Sequence, residues 1–198
     1  IFINDEGELC LRIGHGNGKV EEFSTGKPLF RKVWYKVGCS FDAKSGNIKV
    51  FQKPFVTNTN GGHGMSMLNP IEDTLGMIET SSYLGKPSQN DCPILIAAST
   101  YEKSAGRTIF GGHYKDLPEP LEIPIHAEKF NGKIERPKLS NRALSDSEIE
   151  LLLSCEGIEN VSNELRSSIL GAWDFTSNIT ENAASQTIID KSLSLSHG

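Results

Sequence analysis

The chain has 198 residues, 37% of them hydrophobic, with 19 Gly, 9 Pro and a formal net charge of −5. That length suits one sizeable core, and the turn-rich composition fits an all-β protein better than a helical bundle. Lys and Arg are scattered rather than clustered, which excludes a basic footprint for nucleic acid, and no apolar run approaches the ~20 residues that span a bilayer as a helix.

In chain order, Glu8-Leu-Cys-Leu-Arg-Ile13 alternates apolar and polar residues at the period of a half-buried strand. Gly14-His-Gly-Asn-Gly18 predicts a hairpin turn, with a short return strand over 19–23. Its glycines superficially resemble a dinucleotide loop, but a strand follows, so no helix N-terminus is available to hold a phosphate. Residues 29–41 form the strongest predicted strand. Within it, Val33, Tyr35, Val37, Cys39 and Phe41 share one face, which predicts Cys39 as a small core residue. A turn at 42–46 and a returning strand at 47–52 complete a meander.

From 57 to 90 the pattern dissolves into Asn, Gly and Pro, predicting a long loop or insertion. Strands are expected again at 94–98, 107–110 and 121–125, with Pro124 requiring an edge or a bulge. Residues 130–136 read as a strand, followed by a polar bend and a helix. Ser145-Asp-Ser-Glu148 is a capping box, Ile149, Leu152 and Leu153 make one apolar stripe, and Gly157 is placed as the stop. A helical turn is expected near 163–168, then strands at 169–175 and 188–190.

The chemistry-bearing residues do not form a catalytic pattern. Ser66 in Gly64-Met-Ser-Met-Leu68 lacks the second Gly of a nucleophile elbow. Asp146, Glu148 and Glu150 are close in sequence, but on a helix they diverge and suit its N-terminal dipole. His15, His63, His113, His126 and His197 show no ligand spacing for a metal. The four cysteines are widely spaced without a C-x-x-C pair, so free thiols are expected. That expectation favours a cytoplasmic over a secreted setting.

Three blocks carry a resemblance. Trp34-Tyr-Lys-Val-Gly-Cys-Ser-Phe-Asp42 with Gly46-Asn-Ile-Lys-Val-Phe51 resembles the central hairpin of laminin-G-like, concanavalin A-like domains. Phe130-Asn-Gly-Lys-Ile-Glu-Arg136 with Arg142-Ala-Leu-Ser-Asp-Ser-Glu-Ile149 resembles their strand, bend and capped-helix closure. Leu170-Gly-Ala-Trp-Asp-Phe175, Asp190 and Ser196-His-Gly198 resemble the family's Trp-x-Phe strand and following turn. Here the Trp-Asp-Phe strand comes last rather than first. That arrangement is similar to the sandwich region of the N,N-dimethylformamidase large-subunit family.

The resemblance implies one concanavalin A-like jelly-roll sandwich over 1–198, made of two antiparallel sheets with one short helix near the C-terminal third. With an opening that lacks Met, it also implies a piece of a larger polypeptide. The expected role is a non-catalytic accessory domain of an amidohydrolase acting on small amides, partnered by the rest of the polypeptide or another subunit, with no catalytic residue in this stretch. The alternative is a carbohydrate-binding, lectin-like module, in which Trp34 or Trp173 could stack on a sugar. A glucanase lacks its paired strand carboxylates. Related sandwiches often hold calcium, and the resemblance would place carboxylate ligands at Asp174 and Asp190.

Overall fold

Alternating apolar residues build the first sheet. In the computed structural model, which describes residues 1–31, 33–54, 75–89, 94–97, 99–100, 126–127, 130–155, 157–175 and 188–194, strands β1 (Phe2–Ile3), β2 (Glu8–Gly14) and β3 (Val20–Pro28) pair antiparallel in that order. The β2–β3 turn places Gly16, Asn17 and Gly18 at positive φ, a conformation that glycine adopts without a Cβ clash. It closes through His15 N to Lys19 O and Lys19 N to Gly16 O.

The second sheet runs β4 (Tyr35–Phe41), β5 (Asn47–Pro54), β6 (Gly76–Ser81), again antiparallel. Its first turn is fixed by Asp42, whose carboxylate accepts from Lys44 N at 2.9 Å and the Ser45 hydroxyl at 2.8 Å. The two sheets share one apolar layer. Leu9 and Ile13 from the first meet Ile48 and Val50 from the second, with Leu11, Phe23, Leu29, Phe41 and Ile78 around them. A buried polar bridge crosses the same layer: Thr25 donates to Gln52 Oε1 at 2.8 Å, and Gln52 Nε2 donates to Lys27 O at 2.8 Å. Gly76 makes room for it, since a Cβ there would lie 2.9 Å from Thr25 Cβ.

The third sheet, β9 (Lys138–Ser140), β10 (Ile169–Asp174) and β11 (Ile189–Asp190), has the order β11-β10-β9. Between β9 and β10 come helix α1 (Asp146–Ser154), a 3₁₀ turn (Ile158–Asn160) and helix α2 (Asn163–Ser167). Their second core joins Leu152, Ile158, Val161, Leu165, Ile169 and Ala172. The capping box forms as the sequence predicts: Ser145 accepts from Glu148 N, and Glu148 accepts from Ser145 N at 2.8 Å.

The chain divides into two compact units, one of Ile1–Gln89 with Lys138–Gly198 and one of Asn90–Pro137. In the second unit, β7 (Ser99–Thr100) pairs with β8 (His126–Ala127), and Phe130 N donates to Ala97 O at 2.8 Å.

The all-β class is therefore observed, with the described strands forming three three-stranded sheets and one two-stranded pair. Several sequence expectations are corrected. The strand expected over 29–41 begins only at Tyr35, because the chain folds back so that Phe30 N meets Tyr35 Oη at 3.0 Å. The stretch 57–90, expected as a loop, contains β6, whose Met77-Ile-Glu-Thr80 alternation is short and opens on a glycine. Residues 94–97 are not a strand, and neither are 130–136; the strand before the helix is β9 instead. The helical turn expected near 163–168 is present as α2, a second helix beside the one short helix that the resemblance implies. Gly157 is not a left-handed stop: its φ is −142°, and the helix ends at an extended Cys155. The strands expected at 107–110 and 121–125 lie outside the described residues.

Candidate functional site

The pairing of β10 with β11 sets Trp173 opposite Asp190 and Asp174 opposite Ile189. Asp190 is 1% exposed. Its Oδ1 accepts from Ala172 N and Ser192 N, both at 2.8 Å, and its Oδ2 accepts from the Ser192 hydroxyl at 2.7 Å. Backbone and hydroxyl donors thus solvate a carboxylate that burial would otherwise disfavour. Calcium needs six to eight oxygens arranged around open lone pairs, whereas both Asp190 oxygens already receive hydrogen bonds. No group of three or more His, Cys, Asp or Glu able to hold a metal occurs among the described residues. The hydrogen bonds of Asp190 are structural: Asp190 and Ser192 lock the turn after β11 onto β10.

Both tryptophans considered for sugar stacking are half-buried. The Trp173 indole folds over Gly171 so closely that a Cβ there would collide with the ring.

The acids of α1 are also engaged structurally. Lys49 Nζ bonds Asp146, and Lys53 Nζ meets Glu150 at 3.0 Å, so residues four apart on the helix meet residues four apart on β5. Glu148 accepts from Arg142 at 2.5 and 3.1 Å. That guanidinium, helped by Ser145 N, lowers the Glu148 carboxyl from 4.5 to about 2. The expected divergence is corrected in part: Asp146 and Glu150 share the helix face toward β5, and only Glu148 turns away, to Arg142. Arg142 and Glu148 already stand together in the block that carries the resemblance; no signal in the sequence named Lys49 or Lys53 in advance, although the spacing of four between Asp146 and Glu150 was available.

At the β2–β3 turn, the His15 side chain is largely buried. Its Nδ1 lies 3.1 Å from Lys86 O, and its Nε2 lies 2.9 Å from Glu21 Oε2, poorly aligned for a hydrogen bond. Glu21 accepts from the Ser82 hydroxyl at 2.5 Å and Tyr83 N at 3.0 Å. The Ser82 hydroxyl foremost, with Tyr83 N and His15 beside it, holds this carboxyl below its usual range against the opposing effect of burial. A nucleophilic serine needs its hydroxyl on a base such as histidine. Ser82 donates to the carboxylate instead, so the cluster ties residues 82–88 to the hairpin. His63, Ser66, His113 and His197 lie outside the described residues.

Cys10, Cys39 and Cys155 are free thiols. The expectation of Cys39 as a core residue is corrected, because it is exposed.

No protein-family model matches the chain. Two curated relatives do. The chain is 25% identical over 197 residues to the N,N-dimethylformamidase beta subunit of Alcaligenes sp, covering 98% of this chain and 22% of that protein. It is 30% identical over 176 residues to the N,N-dimethylformamidase beta subunit of Paracoccus aminophilus, covering 88% of this chain and 20% of that protein. The chain thus spans about a fifth of the length of the curated relatives it matches.

Proposed function

We propose that this chain is the accessory sandwich of an N,N-dimethylformamidase-like amidohydrolase large subunit, a concanavalin A-like jelly roll over 1–198 that packs subunits or frames the active-site entrance. The observation that carries this is the pattern of similarity. It runs along 88–98% of this chain yet takes up only 20–22% of two proteins named as N,N-dimethylformamidase beta subunits. A segment occupying that share of a large hydrolase subunit leaves most of the polypeptide to hold the chemistry.

The use of polar side chains supports the same role. Asp146, Glu148, Glu150, Asp190 and Glu21 are each engaged by donors that fix local structure. In this reading the remainder of the polypeptide, or another subunit, is the partner, and no metal or cofactor is held by these residues. A cytoplasmic setting accords with the free thiols at Cys10, Cys39 and Cys155. The lectin alternative gains nothing from the two relatives, neither of which is named for a carbohydrate.

The test is an assay of the parent polypeptide on N,N-dimethylformamide. Release of dimethylamine is expected, and a pure parent that releases none, with and without its partner subunit, would refute the assignment.

A further inference from the structure

The His15 ring stands between two oxygens. Its Nδ1 lies 3.1 Å from the main-chain carbonyl of Lys86, and its Nε2 lies 2.9 Å from Glu21 Oε2. The side chain is 4% exposed, so little water can stand in for either contact. A carbonyl accepts hydrogen bonds and cannot donate, and the same holds for an ionised carboxylate. A neutral imidazole carries one N–H and one bare lone pair. With the proton on Nδ1, the Nε2 lone pair faces the Glu21 carboxylate. With the proton on Nε2, the Nδ1 lone pair faces Lys86 O. The doubly protonated ring offers a donor to both.

Residues 82–88 form a strap between the turns of the two sheets. Its ends are held by main-chain bonds that do not titrate: Ser82 N donates to Gly46 O at 2.8 Å, and Ser88 N to Gly14 O at 2.9 Å. Between them the hold is through side chains. Glu21 accepts from the Ser82 hydroxyl and Tyr83 N, and Lys86 O faces His15. The Ser82 hydroxyl foremost keeps the Glu21 carboxyl below its usual range, so it remains an anion well to the acid side of neutrality. Among the described titratable residues around the ring, β3 contributes Glu21, the turn contributes Lys19 through its main-chain carbonyl, and the strap contributes Lys86 through its carbonyl. Arg12 and Glu22, nearby on β2 and β3, pair with each other.

We propose that His15 is a proton-gated clasp: with a second proton its ring holds Lys86 O and Glu21 together and fastens residues 82–88 to the β2–β3 hairpin, and on losing that proton it lets the middle of the strap loosen. The sign follows from charge. A cationic ring is drawn to the carboxylate, whereas a neutral one sets a lone pair against one of the two oxygens, so the strap is tight on the acid side and slack on the alkaline side. Strong acid slackens it again by protonating Glu21. Residues 82–89 lead out of the first unit, which the chain leaves at Gln89. The clasp therefore governs how firmly the chain is held at that exit, whatever reaction the parent polypeptide carries out.

The test is amide hydrogen exchange of the intact native polypeptide that carries this chain, read on peptides across residues 80–90 and corrected for the intrinsic pH dependence of exchange. Protection is compared at about pH 5.5 and about pH 8, on either side of the ordinary imidazole range. It should fall about tenfold from the lower pH to the higher, the scale of one charge-assisted hydrogen bond, while the Asp42 turn keeps its protection. His15→Gln, which takes up no proton, should give the same protection at both pH values. Glu21→Gln keeps an oxygen for the strap but loses the charge, and should shrink the fall severalfold. Equal protection at the two pH values in the unaltered polypeptide overturns the proposal, and so does an undiminished fall in His15→Gln. Should His15→Gln fail to fold, Glu21→Gln decides, and an undiminished fall there overturns the proposal as well.

Discussion

Arg142 grips Glu148 with both terminal guanidinium nitrogens, at 2.5 and 3.1 Å, while Glu148 accepts from Ser145 N at 2.8 Å. One carboxylate therefore joins the bend before α1 to the helix's first turn. Its folded-state pKa is depressed from 4.5 to about 2. The stability it contributes is fully present above pH 4.5 and is lost as pH falls from there through about 2. Glu148→Gln should flatten the chemical-denaturation stability across that window, and Ser145→Ala should cost about 1 kcal/mol at neutral pH. An unchanged acid profile in Glu148→Gln would place the acid sensitivity elsewhere.

Gln52 is fully buried and satisfies both Thr25 and Lys27. Gln52→Ala opens a cavity and takes the acceptor from the buried Thr25 hydroxyl, so a loss of about 3 kcal/mol is expected. Gly76→Ala forces a Cβ against Thr25 and Gln52 and should cost about 1–3 kcal/mol by overpacking. Urea midpoints of the two variants check this. A cost below 1 kcal/mol for Gln52→Ala would mean the bridge contributes little.

Asp190 accepts three hydrogen bonds from its own chain. Asp190→Ala should therefore destabilise by about 2–3 kcal/mol, since it leaves buried donors unpaired. The melting temperature of the unaltered chain should be the same in calcium as in chelator. A rise with calcium that Asp190→Ala abolishes would restore the calcium reading.

The Lys53–Glu150 contact is half-exposed on both sides. Lys53→Ala should cost no more than about 1 kcal/mol, and less as salt is raised. A larger, salt-independent cost would show that Lys53 works through packing of its stem.

Short-range order was legible in the sequence. The capping box, the turn at 14–18, the Asp42 hairpin and the strand ending at Asp174 each follow from neighbours within a few residues, and all are present. Legibility failed where a distant group decides. Alternation placed Cys39 on the inner face correctly, but it cannot say whether an opposing strand covers that face. Asp190 and Asp174 read as possible ligands because they stand where the resemblance would place carboxylates. Only the fold shows the Ala172 and Ser192 donors filling the Asp190 carboxylate. Residues 29–34 have strand-like composition, yet the Tyr35 hydroxyl captures Phe30 N, and the strand begins only at Tyr35. Nor does the glycine-rich turn at 14–18 foretell that Lys86 O and Glu21 close over His15, since both partners are distant or on the facing strand.

The central claim is that the chemistry of the parent hydrolase lies outside this chain. It is tested most directly by following dimethylamine release from N,N-dimethylformamide with the parent polypeptide and with residues 1–198 alone, the latter shown to be folded by circular dichroism. Turnover by the parent and none by the folded 198-residue chain is the predicted result. Dimethylamine release by the 198-residue chain itself would contradict the accessory role.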